Sequence, residues 1–146
     1  MVARPEKIVL PPVVEEFLEA TNAGNLQDVL DVFAPDAIVN DQLQPWRGLA
    51  AIAEWARRDV IADQLRLHVV HGLEHYGHCV VLAHADGSFD KRGLPDPLEV
   101  HLYFTVAVGK IVQLIILRNR SGTSGFDALL APSIVTDPMG VGPRRP

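Results

Sequence analysis

The sequence predicts an α+β fold: three N-terminal helices packed on a strongly curved, mostly antiparallel sheet. Three observations predict it. Apolar residues recur at helical spacing up to about residue 62 and at a period of two beyond it. Short turn signals at Tyr76-Gly77, Asp86-Gly87 and Gly109-Lys110 separate the alternating runs, as an antiparallel meander requires. Helices that precede a sheet, rather than alternate with its strands, pack on one of its faces.

Val13, Val14, Phe17, Leu18 and Thr21 mark one face of a first helix that begins near Pro12 and ends before Gly24. Proline is tolerated there because the N–H it lacks has no partner in a first turn. Asn25 can cap a second helix whose buried stripe is Leu26, Val29, Leu30 and Phe33, with Pro35 ending it. A short apolar strand, Ala37 to Val39, then stops at Asp41, and a loop holding Trp46 leads to a third helix from about Gly48 to Ala62. Leu49, Ile52, Ala53, Ala56 and Val60 form the stripe of that helix, with Trp55 at its edge.

The strands follow. Leu65, Leu67, Val69, His71 and Leu73 alternate with Arg66, His68, Val70 and Glu74, as in a half-buried strand. His78 to Ala85 returns beside it, and the Gly/Pro/Asp-rich connection SFDKRGLPDP leads to a long strand, Leu98 to Val108. The last strand runs from Ile111 to Arg118. Residues 1–120 thus read as a single domain. Residues 121–146 read as a Gly/Pro-rich tail, mobile or docked on a partner subunit.

Composition narrows the function. The chain has 146 residues, 48% of them hydrophobic, and a net charge of −5, which leaves no basic footprint for nucleic acid. No apolar run is long enough to span a bilayer. The start, MVARPEKIVLPP, has no apolar h-region of a signal peptide. The single cysteine, Cys79, forms no internal disulfide and suits a reducing cytoplasm; in the apolar run HCVVLA it reads as a buried, inert thiol. Nucleotide-binding glycine motifs, a nucleophile elbow and HExxH are all absent, so a cofactor-independent protein is expected.

The richest segment is VFAPDAIVNDQLQPWRGLAAIAEW, residues 32–55. It sets a carboxylate, Asp41, directly after buried β-branched residues and puts tryptophans on the next two elements. A carboxylate facing an apolar cavity loses solvation and can shuttle protons near neutral pH, whereas at an ordinary strand end it only caps a loop. On the long strand, His101 shares a face with Glu99, Tyr103 and Thr105, while Leu98, Val100, Leu102 and Phe104 share the other. His101 can be a general acid or oxyanion donor if its face turns inward, and a solvent or interface residue if the leucine face does. Arg118, ending the last strand, can hold an anionic group in a pocket or snorkel to solvent. Phe17, Trp46 and Trp55 can wall a site or simply fill the core. The remaining histidines suggest no metal: His71 and His75 share a strand face but lie roughly 13 Å apart, and His68 and His71 point to opposite faces.

The order of elements, together with FLEATNAGN and VFAPDAIVND…WRGLAAI, resembles the nuclear-transport-factor-2-like superfamily of α+β cone folds, over roughly Val13 to Arg118. That superfamily includes ketosteroid isomerases, SnoaL-like polyketide cyclases and limonene epoxide hydrolases. The resemblance implies a pocket with Asp41, preceded by Asn40, at the catalytic carboxylate position. Two departures accompany it: Phe17 stands where the isomerases carry a tyrosine, and His101 near where they carry a protonated aspartate. An Arg/Asp pair of the hydrolase kind is missing from the long strand. The reading that results is an isomerase- or cyclase-type enzyme acting on a small apolar or polycyclic carbonyl compound. Asp41 and His101 are its catalytic candidates, with Phe17, Asn40, Trp46, Trp55, Tyr103 and Arg118 binding substrate. Water addition to an epoxide in the same pocket is the alternative. A non-catalytic ligand-binding or dimerisation module is the third reading, and a homodimer through the open sheet face is expected.

Overall fold

The computed structural model describes residues 9–118; the tail expected over 121–146 lies outside them. Helices α1 (Pro12–Ala23), α2 (Leu26–Asp31) and α3 (Leu49–Trp55) pack against one curved six-stranded sheet. Its strands are β1 (Phe33–Asp41), β2 (Gln44–Arg47), β3 (Arg66–His75), β4 (His78–Asp86), β5 (Leu98–Ala107) and β6 (Lys110–Arg118), in spatial order β2-β1-β6-β5-β4-β3. The β1–β6 pair is parallel and every other pair antiparallel.

Helix α1 begins at Pro12 and ends on the left-handed Gly24, whose N–H closes onto Thr21 and Ala20 carbonyls. Its buried face drives Phe17 into edge-on contact with Phe33 at 5.9 Å and Phe104 at 5.5 Å, pairings that add about 1 kcal/mol each to their burial. Asn22, just beyond that face, bonds both the N–H and the C=O of Leu67 at 2.7 and 2.9 Å. It thereby occupies hydrogen-bonding groups on the edge strand β3 that would otherwise face solvent.

Four local expectations need correction. Pro35 does not end a helix: α2 stops at Asp31, and Phe33 opens β1. The proline is accommodated because the β1–β6 register is interrupted between Phe33 and Ile38, where no ladder N–H is required. Trp46 lies not in a loop but on β2, which can contain Pro45 because it is an edge strand. The third helix leaves α geometry after Trp55 and continues as a π-helical segment over Ala56–Ala62. In β3 a bulge between Val69 and His71 reverses the alternation, so His71 pairs with Leu82 and Leu73 with Val80.

The face of β5 is settled by burial. Val100, Leu102 and Phe104 join Val81, Ala83, Leu114 and Ile116 in the core under the helices. His101 and Tyr103 project from the opposite face, across from Leu117 and Ile115 of β6. His101 is itself buried there and stacks on Tyr103 at 6.2 Å; burial also pushes the Tyr103 hydroxyl up from its usual pKa.

Candidate functional site

The inward positions of β1 are Ala37 and Val39, both fully buried, and the next inward position is Asp41. Strand alternation therefore delivers a carboxylate to the inner face just where the apolar run ends. A cavity of about 330 Å³ opens in front of it. Phe17 of α1, Leu102 and Val100 of β5, and Ile116 of β6 form its apolar walls. Arg118 lines it too, because it sits two residues beyond Ile116 on the same strand face.

Hydrogen bonds fix Asp41. The indole Nε1 of Trp55 donates to Oδ2 at 2.9 Å, and Gln42 Nε2 donates to Oδ1 at 3.2 Å. The Gln42 amide also bridges β1 to β6: Nε2 donates to the Ile116 carbonyl at 3.1 Å, and Oε1 accepts from the Arg118 N–H at 3.2 Å. Each carboxylate oxygen keeps a lone pair for the cavity, since each has two and accepts one bond from the described residues.

Three more carboxylates line the cavity: Asp59, Asp63 and Asp90. Asp59 stands on the π-helical segment and Asp63 just after it. Asp59 is held above the usual carboxylate pKa, first by its own burial, then against the opposing pull of Arg58, with Asp41 and Asp63 adding repulsion. Asp90 is exposed and held below the usual range by bonds from Arg92. Arg118 is the one cationic side chain among the described residues that line the cavity.

Connection 87–97 closes one side. Ser88 donates its backbone N–H and its hydroxyl to the Asp63 carbonyl, at 2.7 and 3.0 Å. Gly87 is needed for that approach: a Cβ there would lie 2.6 Å from the same carbonyl. Phe89 and Leu94 of this connection form a wall shared with a larger, neighbouring cleft of about 870 Å³, lined also by Arg66, His68, His84 and Lys91.

Of the residues expected at the site, Asp41, Phe17 and Arg118 line the cavity, and Trp55 reaches it through its bond to Asp41. His101 and Tyr103 do not, because period two places them on the outer face once Val100 and Leu102 point inward. Asn40 faces outward for the same reason; its Oδ1 is buried with no hydrogen-bond partner among the described residues. Trp46 lies on the edge strand outside the cavity, with the Arg58 guanidinium 5.2 Å from its ring centroid.

Asp59 and Gln42 were not anticipated. A signal for Asp59 was present: Ile52, Ala56, Asp59 and Asp63 follow one another at spacings of four, three and four, so two carboxylates continue an apolar helix face. Gln42 had no such mark.

Fold and cavity together define a pocket-bearing protein of the α+β cone class. The chain belongs to the SnoaL-like domain family, whose model matches residues 14–114. No curated protein matches it. It is similar to a Sinorhizobium meliloti protein provisionally named a polyketide cyclase, at 26% identity and a TM-score of 0.67, over 74% of this chain and 95% of that one. It shares its fold with the Δ5-3-ketosteroid isomerase of a Mycobacterium species (15% identity, TM-score 0.59, 73% and 90% covered). It also shares it with part of the Anabaena orange carotenoid protein binding canthaxanthin (17%, 0.62, 79% and 38%).

Proposed function

We propose that this protein is a cofactor-independent enzyme of the isomerase or cyclase type, moving a proton next to the carbonyl of a small, largely apolar compound. The observation that carries the reading is the carboxylate of Asp41, set at the end of an apolar strand and held by a buried indole N–H, facing a cavity walled by Phe17, Val100, Leu102 and Ile116. Asp41 is the base. Abstracting a proton from carbon in water is slow because the carbanion is poorly stabilised; an oriented base in a confined site lowers that barrier through proximity. Apolar walls favour an apolar substrate body, and the predominance of carboxylates favours a neutral over an anionic one.

Arg118 at the cavity's edge offers a guanidinium to the oxygen on which charge develops. The likeness to a provisionally named polyketide cyclase supports this reading, because cyclisation of a poly-carbonyl chain also begins with loss of a proton beside a carbonyl. The test is conversion of 3-cyclohexen-1-one to its conjugated isomer, followed by ultraviolet absorbance. Faster conversion with the protein, lost in Asp41→Asn, supports the reading. Conversion that survives the substitution removes Asp41 as the base.

A further inference from the structure

The cavity contains a second carboxyl that shares the electrostatic environment of Asp41. Asp59 lines it from the π-helical segment Ala56–Ala62. A π turn inside a helix shifts the side chains that follow and recurs at functional sites. Here it falls where the apolar stripe Ile52, Ala56 would continue into the core at Asp59. The outcome is a half-buried carboxyl that lines the cavity while Val60 beside it remains fully buried.

Resting on the proposed role of Asp41, we infer that Asp59 is the second catalytic residue of the cavity, the acid that gives a proton to the carbonyl oxygen while Asp41 takes one from carbon. In the forward step the C–H bond beside the carbonyl breaks, and its proton passes to the Asp41 carboxylate. The electron pair becomes a C=C bond, the carbonyl π pair moves onto oxygen, and that oxygen takes the proton of Asp59. The products are a neutral enol, a protonated Asp41 and an ionised Asp59. When the enol collapses, its O–H proton returns to Asp59 and the Asp41 proton is delivered to carbon. Both carboxyls then stand as they began, with no oxidant or reductant consumed.

The surroundings favour a proton on Asp59. It feels Asp41 of β1, and Arg58 and Asp63 of its own segment and just beyond, while Asp90 of connection 87–97 and Arg118 of β6 line the same cavity. Arg58, its neighbour in sequence, pairs with it at the outer limit of a salt bridge, Nη2 lying 3.9 Å from Oδ1, and opposes that proton. The same guanidinium also lies over the Trp46 ring, 5.2 Å from its centroid. Burial and the repulsion of Asp41 and Asp63 prevail over that pull, which leaves Asp59 the more readily protonated than a free carboxyl.

Two measurements on the full chain test the assignment. The first is deuterium incorporation into 2-tetralone in heavy water across a pH series, for wild type, Asp59→Asn and Asp59→Glu. The asparagine variant is expected to lose roughly 100-fold or more in rate and to lose the decline of rate at high pH, with partial rescue by glutamate. A merely structural Asp59 would leave the shape of the profile unchanged. The second is a pH titration of 13C-labelled aspartate carboxyls by NMR. A carboxyl titrating above the ordinary range, absent in Asp59→Asn and moved downward by Asp41→Asn, is the expected result. Full rate with an unchanged profile in Asp59→Asn, or an Asp59 that titrates like a free carboxyl, overturns the inference. If the wild type exchanges no 2-tetralone, the role given to Asp41 fails on that probe, and the titration alone decides whether Asp59 holds its proton.

Discussion

The indole of Trp55 and the carboxylate of Asp41, fourteen residues apart, meet in a 2.9 Å hydrogen bond. The bond joins the end of α3 to the end of β1, and Trp55 is fully buried. A side chain this large is fixed by its packing, so its single donor fixes the carboxylate in turn.

Replacing Trp55 by Phe keeps most of the apolar volume and removes that donor. Urea unfolding is expected to show a loss of about 1–3 kcal/mol, from the lost bond and the volume left unfilled. Turnover should fall as well, since Asp41 would keep only the Gln42 bond among the described residues. Unchanged stability and unchanged turnover together would show that the indole does not position the carboxylate.

Asp59 gives a pH-dependent stability. Its folded-state pKa lies above the ordinary 3.8, so the native state binds that proton more tightly than the unfolded chain. The resulting stabilisation is complete below the unfolded value and is lost as pH rises through the raised one. Asp59→Asn removes the penalty of the ionised form. The variant should melt higher than wild type at neutral pH, and the difference should vanish in acid. A variant that melts lower at neutral pH contradicts the direction.

The β1–β2 hairpin turns through Gln42 and Leu43, with φ of 53° and 72°, and Leu43 is 76% exposed. Positive φ at both central positions is the geometry that Asn-Gly or Gly-Gly adopts without strain. Leu43→Gly should therefore raise stability by about 1 kcal/mol, read as a higher urea midpoint. Gln42 is less free to change, because its amide ties Asp41 to Ile116 and Arg118.

Burial pushes the Cys79 thiol up to about 11, with Glu74 adding repulsion. At mildly alkaline pH the native protein should react with a disulfide reagent only as it unfolds, because the thiolate is the nucleophile. Rapid labelling of the folded protein, followed by absorbance, would contradict this.

Much of the fold was legible because its signals are local. Pro12 and Gly24 bound α1, Asn25 caps α2 by accepting from the Asp28 N–H, and Gly109 marks the turn between β5 and β6, which lies at Val108-Gly109, one residue before the expected Gly109-Lys110. What escaped depends on partners distant in sequence. Pro35 reads as a helix stop until the interrupted β1–β6 register is known, and nothing local announces the bulge after Val69. Asp41 could be found because an apolar run points at it. His101 could not be oriented, since both faces of β5 carry large side chains and only the packing of α1 shows which is inner. Asp59 gives no apolar signal of its own: it is a carboxylate continuing an otherwise apolar helix face, and only the cavity shows which way it points.

The central claim is that Asp41 removes a proton from carbon. The direct measurement compares wild type and Asp41→Asn for deuterium uptake at the carbon beside the carbonyl of 2-tetralone, with melting temperatures taken alongside. The account predicts a fall of roughly 100-fold to 10,000-fold in the variant, at a nearly unchanged melting temperature. Equal rates in the two proteins, or no uptake above buffer with the wild type, would contradict it.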